Sequence, residues 1–231
     1  MKAMILAAGL GTRLRPLTND RPKALVEVAG RTLLEITLTR LKEFDVREAI
    51  VNTHHFAEMI PAYLKKHDDF GMRIEISHED VLLDTGGGLK KAAWFFEDSS
   101  EPFLLHNVDV ISTIDLRRMV QFHHQQGALA TMAAQDRKTS RPLLFDEEGR
   151  LCARADKAAP EGMQALAFAG IHVISPRIFS QMSETGIFSI IDAYLRLSAQ
   201  REKMIAFRAD EYQWRDLGRP ENVAEAAREI S

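Results

Sequence analysis

The first half of the chain alternates short apolar runs with helical stripes, and that alternation admits few folds. Ala3-Met4-Ile5-Leu6-Ala7 is a compact apolar run and reads as a buried strand. Thr32 to Phe44 carries Leu34, Leu38 and Leu41 at spacings of four and three, one face of a helix. Glu48 to Thr53, with Ile50 and Val51, predicts a second strand, and Phe56 to His67 a helix with Pro61 weakening its middle. Arg73-Ile74-Glu75-Ile76-Ser77 alternates like a strand, and Thr85 to Phe96 begins in three glycines and turns helical. Phe103-Leu104-Leu105 is another buried strand, and Asp115 to Gln126 a helix with Asp115 as N-cap. This order predicts an α/β fold: a Rossmann-like, doubly wound, mainly parallel sheet with helices on both faces. Ligands gather at the carboxyl ends of such strands.

The second half is less regular. Leu143 to Arg154 contains the hairpin-type turn Asp146-Glu147-Glu148-Gly149. Leu166 to Ile174 is a strand, Phe188 to Gln200 and Glu221 to Ile230 are helical, and Tyr212 to Leu217 is a short strand carrying Trp214 and Asp216. No linker interrupts the chain, so this half is expected to continue the same sheet with an inserted hairpin layer, residues 1–231 forming one domain.

Composition excludes several classes. The 231 residues are 45% hydrophobic and 27% charged, an ordinary globular balance, and the net charge of −3 provides no general attraction to nucleic acid. The one cysteine, Cys152, rules out an internal disulfide and lacks the partners of a nucleophile. Gly9, Gly11, Arg13 and Arg15 cut short the apolar stretch after Met1-Lys2, so no secretory signal is expected. No run approaches the roughly 18 apolar residues of a membrane span, and a soluble, cytoplasmic protein is expected. Of the eight histidines, His54-His55 and His123-His124 are adjacent pairs whose side chains point apart, so no transition-metal site is expected.

After the first strand comes Leu6-Ala7-Ala8-Gly9-Leu10-Gly11-Thr12-Arg13-Leu14-Arg15-Pro16-Leu17-Thr18, then Arg21-Pro22-Lys23-Ala24-Leu25. Two glycines let backbone approach a ligand and turn N–H groups toward it. Arg13 can grip phosphate oxygens in a fork, and Lys23 adds a mobile charge. This outlines a triphosphate site. It is neither the dinucleotide fingerprint, since Leu14 stands where Gly or Ala is needed, nor a Walker loop, since Gly-Lys-Ser/Thr is absent.

The whole string resembles the N-terminal signature of the sugar nucleotidyltransferases, or NDP-sugar pyrophosphorylases, which runs A-G-x-G-T-R-L-x-P-L-T, a short gap, then P-K. The resemblance implies the nucleotide-diphospho-sugar transferase fold and formation of an NDP-sugar and pyrophosphate from a nucleoside triphosphate and a sugar 1-phosphate. It implies that Leu6, Ala8, Gly9, Gly11, Thr12 and Arg13 hold the nucleotide, that Lys23 reaches the reacting phosphate, and that Arg13 and Lys23 are catalytic. It also divides the chain into a nucleotide half, about 1–110, and a sugar half, about 111–231. No β-helix tail follows, so no acetyltransferase activity is expected.

Asn107-Val108-Asp109 after the Phe103 strand is similar to the family's N-x-D, whose Asp binds magnesium; Val108 stands where many relatives have Gly. Trp214-Arg215-Asp216-Leu217-Gly218-Arg219-Pro220-Glu221-Asn222 resembles the family's W-x-D-x-G-x-P-E-N, whose Asp is the second ligand. Magnesium takes oxygen ligands, typically one or two carboxylates plus substrate phosphates, and Asp109 with Asp216 is the expected Mg2+ pair. His78 to Gly88, with Gly86 and Gly87 opening a helix, resembles the base-reading loop. Its T-G-G-G form is similar to that of short uridylyltransferases acting on N-acetylmuramate 1-phosphate, which favours UTP, with GTP next because guanylyltransferases for mannose or heptose 1-phosphate have similar loops. Glu79 is either a base contact, accepting two N–H groups of guanine, or a solvated loop residue. On the sugar side the resemblance points to Lys157, in an Asp156-Lys157 pair like the family's E-K-P but with Ala158 for Pro, and to Gly170 in Phe168-Ala169-Gly170-Ile171. Asn107 can hydrogen-bond a sugar hydroxyl. Nucleotide-sugar glycosyltransferases share such a sheet but need a D-x-D pair, where this chain has Asn107. A non-catalytic sugar-nucleotide sensor keeps the fold but commonly loses Arg13, Lys23 or the carboxylates, all present here.

Overall fold

A computed structural model describes residues 1–155 and 159–230. Chain order is β1 (Lys2–Leu6), β2 (Glu27–Val28), β3 (Arg31–Thr32), α1 (Leu33–Glu43), β4 (Glu48–Thr53), α2 (Met59–Lys66), β5 (Arg73–His78), α3 (Asp84–Lys91) and β6 (Phe103–Asn107). There follow β7 (Val110–Ser112), α4 (Leu116–Gln126), β8 (Ala130–Gln135), β9 (Leu143–Phe145), β10 (Leu151–Arg154), β11 (Gln164–Ile174), α5 (Ile190–Ala199), β12 (Met204–Arg208), β13 (Trp214–Asp216) and α6 (Pro220–Ile230).

Local chemistry sets the helix ends. The Thr32 hydroxyl accepts from Glu35 N at 3.0 Å and starts α1, and Asp115 accepts from Arg118 N at 3.0 Å and starts α4. Gly127, at φ +58°, closes α4 in the left-handed conformation. The helix expected from Phe56 begins only at Met59, because Phe56 adopts φ +52°. Pro61 therefore falls in the first turn, where a missing N–H costs no helical bond, rather than mid-helix. The helix expected from Thr85 to Phe96 ends at Lys91, and Ala93–Phe96 follows as a separate tight turn.

The main sheet is mixed. Its first four members lie parallel in the order β6-β1-β4-β5, with Leu6 opposite Asn107 and Ile5 opposite Val51. Connections from β1 run first to one side and later to the other, so a switch point opens at the carboxyl ends of β1, β4 and β6. Beyond β6 the second half continues the same sheet. The eleven-residue β11 runs antiparallel to β6 and β8, and the β9–β10 hairpin joins through β9. A separate ribbon pairs β13 with β7, setting Asp216 opposite Val110.

Alternation along β1 shows how both faces are covered. Ala3 and Ile5 point into a core shared with Leu34 and Leu38 of α1, Leu64 of α2, Met119 of α4 and Val223 of α6. Met4 points into the opposite core with Leu89 of α3 and Ile190 and Tyr194 of α5. Burying each large aliphatic side chain in these cores contributes about 1.5–3 kcal/mol.

Candidate active site

The loop after β1 is held from behind. Ala7 N and Ala8 N both donate to Asn52 Oδ1, at 2.6 and 3.2 Å. Gly11 sits at φ +62°, and a Cβ there would lie 2.9 Å from Thr18 Cγ2 and 3.2 Å from Lys23 Cβ. The Thr18 hydroxyl donates to Gly11 O at 2.9 Å, folding Arg15–Thr18 back under the loop. Leu14 is fully buried and anchors a tight turn, Thr12–Leu14, that leaves Thr12 and Arg13 exposed. A Cβ on Gly9 would meet nothing within 4 Å, so the loop faces open space there.

Asp109 follows β6 and is 6% exposed. Its carboxylate forms an ion pair with Lys23 Nζ, which a second tight turn, Lys23–Leu25, presents across the cleft. Val108 turns away into the core, 1% exposed, so its bulk stays out of the cleft. The β7–β13 pairing brings Asp216 alongside: Leu217 N donates to Asp109 O at 2.8 Å. Asp216 Oδ1 accepts from Gly218 N at 2.6 Å, and Asn222 Nδ2 of α6 donates to Asp216 O at 2.6 Å. A Cβ on Gly218 would fall 2.7 Å from Asp216 Oδ1 and 2.8 Å from Arg13 Nη2, so that glycine lets the guanidinium and the carboxylate approach one another. Gly170, at φ +75°, similarly admits Asn107 Nδ2 to 2.9 Å of its Cβ position. Trp214 Nε1 donates to Ala169 O at 2.7 Å, and the Arg137 guanidinium stacks on the Trp214 ring at 3.6 Å.

The loop after β5 is used differently from expectation. Glu79 is buried rather than solvated and lines the cleft: Oε1 accepts from Asn52 Nδ2 at 2.7 Å and Oε2 from Leu83 N at 2.9 Å. Gly86 N and Gly87 N donate to Phe188 O at 3.0 and 3.3 Å, so these amides are engaged inside the protein rather than presented to a flat ligand. The glycines are needed for packing. A Cβ on Gly86 would come 2.4 Å from the Phe188 ring, and one on Gly87 2.5 Å from Gly186 O.

These groups surround a cleft of about 430 Å³ at the switch point, lined by Leu6, Ala8, Gly9, Arg13, Lys23 and Asp109 among others. A smaller hollow of about 190 Å³, lined by Gly11, Thr12 and Gly218, continues it past Arg13. A glycine-rich loop, two cations and a buried carboxylate thus meet at the switch point of an α/β sheet, where such folds bind ligands.

Comparison with known proteins agrees. The family model described as "Nucleotidyl transferase" matches residues 2–231. The chain belongs to the nucleotidyl transferase family. It is 36% identical over 233 residues to an N-acetylmuramate alpha-1-phosphate uridylyltransferase of Caulobacter vibrioides, covering 95% of this chain and 92% of that one. It is 32% identical to the mannose-1-phosphate guanylyltransferase catalytic subunit beta of Drosophila pseudoobscura, over 96% of this chain but only 60% of that one. In fold it is similar to HddC from Yersinia pseudotuberculosis complexed with GMP-PN, with a TM-score of 0.81 at 21% identity over 100% of this chain and 99% of that one. The chain is thus an enzyme of the sugar-1-phosphate nucleotidyltransferase class on the nucleotide-diphospho-sugar transferase fold.

Within this nucleotidyltransferase, the structure gathers Leu6, Ala8, Gly9, Arg13, Lys23, Glu79, Asn107 and Asp109 on one cleft, with Gly11 and Thr12 on its extension. It sets Asp216 beside Asp109 through the ribbon and Gly170 against Asn107. Gly86 and Gly87 lie behind the cleft wall, and Lys157 lies outside the described residues. Sequence reasoning passed over Asn52, Leu82, Thr85 and Ile187, which also line the cleft. Asn52 had one legible signal, a polar residue near the carboxyl end of a predicted strand.

The donor chemistry suits a divalent cation completed by phosphates. Asp109, in the turn before β7, and Asp216, on its partner strand β13, offer hard carboxylate oxygens, and among the described residues no cluster of three or more His, Cys, Asp or Glu forms a protein-only cage. The buried histidines serve the nucleotidyltransferase core instead. Burial pushes His106 down to about 4 and His172 to about 3, and His123, also pushed to about 4 by burial, lies between the Thr131 and Ser175 hydroxyls at 2.9 Å each. Desolvation pushes the Cys152 thiol up, away from a reactive thiolate. No helix of the described residues is long and apolar enough to cross a membrane.

Proposed function

We propose that the enzyme joins a nucleoside triphosphate to a sugar 1-phosphate, with UTP and N-acetylmuramate 1-phosphate as the preferred pair. The observation that carries the reading is the meeting of Arg13, the Lys23–Asp109 ion pair and the open face of Gly9 in one cleft. The similarity to the Caulobacter uridylyltransferase over nearly the full length of both chains supports the choice of pair. The guanylyltransferase relative motivates a second reading, GTP with mannose or heptose 1-phosphate.

The sugar phosphate is largely ionised near neutral pH, with a second pKa of about 6, so no general base is required. Its oxygen forms a bond to the α-phosphorus as the bond to the α–β bridging oxygen breaks, and that electron pair leaves with pyrophosphate. The backbone from Gly9 to Thr12 and the Arg13 guanidinium hold the triphosphate, while Lys23 offsets the charge growing on the leaving group. Asn107, braced by Gly170, takes a sugar hydroxyl. Asp109 and Asp216 would hold a magnesium ion, which when bound neutralises charge shared by the two reacting phosphates.

The test is pyrophosphate release from four triphosphates crossed with several sugar 1-phosphates in the presence of magnesium. Release with UTP and N-acetylmuramate 1-phosphate is expected. Release only with GTP and mannose or heptose 1-phosphate replaces the pair and keeps the reaction. A folded, nucleotide-binding protein that releases none with any pair is a sensor or a glycosyltransferase.

A further inference from the structure

The phosphate loop and the loop after β5 are joined by one buried hydrogen-bonded chain, and we infer that Asn52 is the positioning residue that makes them act as a unit. Asn52 is 3% exposed and Glu79 0%. Asn52 Oδ1 collects Ala7 N and Ala8 N immediately before Gly9, and Asn52 Nδ2 donates to Glu79 Oε1. Glu79 Oε2 takes Leu83 N at 2.9 Å, and Glu79 N donates to Thr53 O at 2.7 Å. Leu82, on the far wall of the cleft, precedes the last link of that chain.

Proton bookkeeping fixes the direction of the relay. A carboxylate only accepts, so Glu79 must be met by the amide nitrogen of Asn52. That turns the amide oxygen of Asn52 toward the end of β1, where it takes two buried N–H groups that would otherwise lack a protein partner, at about 1–3 kcal/mol for an unsatisfied group. Glu79 thereby dictates the orientation of the backbone that leads into the phosphate-binding glycines. Gly88 leaves room for the junction: a Cβ there would lie 2.7 Å from Glu79 Oε1 and 3.0 Å from Asn52 Nδ2. A ligand that shifts the loop after β5 therefore moves the phosphate loop with it, so occupancy of one end of the cleft is felt at the reacting phosphates. Glu79 acts in this arrangement from the cleft wall itself, which it lines together with Asn52.

This inference rests on the proposed triphosphate site, and the test separates the two. With the full-length protein and its best substrate pair, Asn52→Ala should lower kcat about a hundredfold, the scale of a displacement near 1 Å at reacting atoms, while KM for the sugar phosphate changes by less than about threefold. Asn52→Asp gives a sharper reading. Two facing carboxylates need one shared proton to keep the chain, so its activity should fall about tenfold per pH unit above the pair's apparent pKa, in a range where the wild type does not. Lys23, Asp84 and Asp109 in the cleft and His54 and His78 beside Glu79 are common to both proteins, so the difference between the profiles belongs to position 52. Gly88→Ala, which touches the junction from the opposite side, should reproduce the kcat loss and covers the case in which a position-52 variant does not fold. A Gly88→Ala or Asn52→Ala enzyme with wild-type kcat, or an Asn52→Asp profile parallel to the wild type, overturns the relay. A wild type inactive with every pair overturns the site reading on which it rests.

Discussion

Gly9 and Gly11 stand two residues apart in the same loop, yet the structure assigns them opposite burdens, and alanine at each separates folding from ligand binding. At Gly11, φ is +62°, where an L-residue costs roughly 1–2 kcal/mol more than glycine. The new Cβ would also lie 2.9 Å from Thr18 Cγ2, and that methyl cannot rotate away without breaking the Thr18 hydroxyl bond to Gly11 O, a net of about 1 kcal/mol. Together these place the destabilisation of Gly11→Ala at about 2–4 kcal/mol, with Lys23 displaced as well because its Cβ lies 3.2 Å from the new methyl. At Gly9 a Cβ meets nothing within 4 Å and φ is not positive. Gly9→Ala should therefore leave stability within about 1 kcal/mol of wild type, or raise it slightly by restricting the unfolded chain. Its methyl stands in the cleft, so kcat/KM should still fall, by an order of magnitude or more. Urea denaturation followed by tryptophan fluorescence, alongside pyrophosphate release, reads both quantities. A Gly11→Ala protein as stable and active as wild type refutes the strain argument; a fully active Gly9→Ala protein refutes the placement of triphosphate on that face.

The other expectations are simpler. Asp109→Asn should cut turnover at least a hundredfold at every magnesium concentration while the urea midpoint changes little, since the Lys23 pair it breaks lies at the cleft wall. Gly86→Ala should destabilise by about 1–3 kcal/mol, because its methyl would lie 2.4 Å from the Phe188 ring and 2.9 Å from Ile190 N; an unchanged thermal midpoint contradicts the packing role. His106 and His172 are held neutral by burial, at about 4 and about 3 against an unfolded value near 6.5. Their folded values are depressed, so the unfolded chain takes up the protons first. Stability should be full above about pH 6.5 and fall by several kcal/mol as the pH drops toward 4. Urea midpoints measured from pH 7.5 to 4.5 check this, and a flat series rejects it.

What could be read from the sequence depended on how far each contact reaches along the chain. Asp115 was legible as an N-cap because its oxygen meets an amide three residues on, and β4 because Ile50 and Val51 sit in an apolar run between polar ends. The boundary of α2 was missed because it turns on the left-handed conformation of Phe56, which no local pattern of residue types demands. Alternating strand and helix predicted parallel pairing, and it holds for β6-β1-β4-β5; β11 breaks it because a hairpin, with no crossover helix, precedes it. The triple glycine shows the same limit inside the site. Its composition suggested backbone offered to a ligand, whereas the demand for small residues comes from Phe188 and Gly186, carried in by the segment before α5. Asp109 and Asp216 were matched one motif at a time, but their adjacency is a property of the β7–β13 ribbon, and the ribbon is invisible until both strands are placed. Glu79 is the clearest case. From the sequence it could be a base contact or a solvated loop residue, and its burial becomes favourable only because Asn52 and Leu83 bring a donor to each oxygen. Polar residues whose partners come from other strands are therefore where a sequence is least informative about role, and in this fold those positions converge on the switch point where the cleft lies.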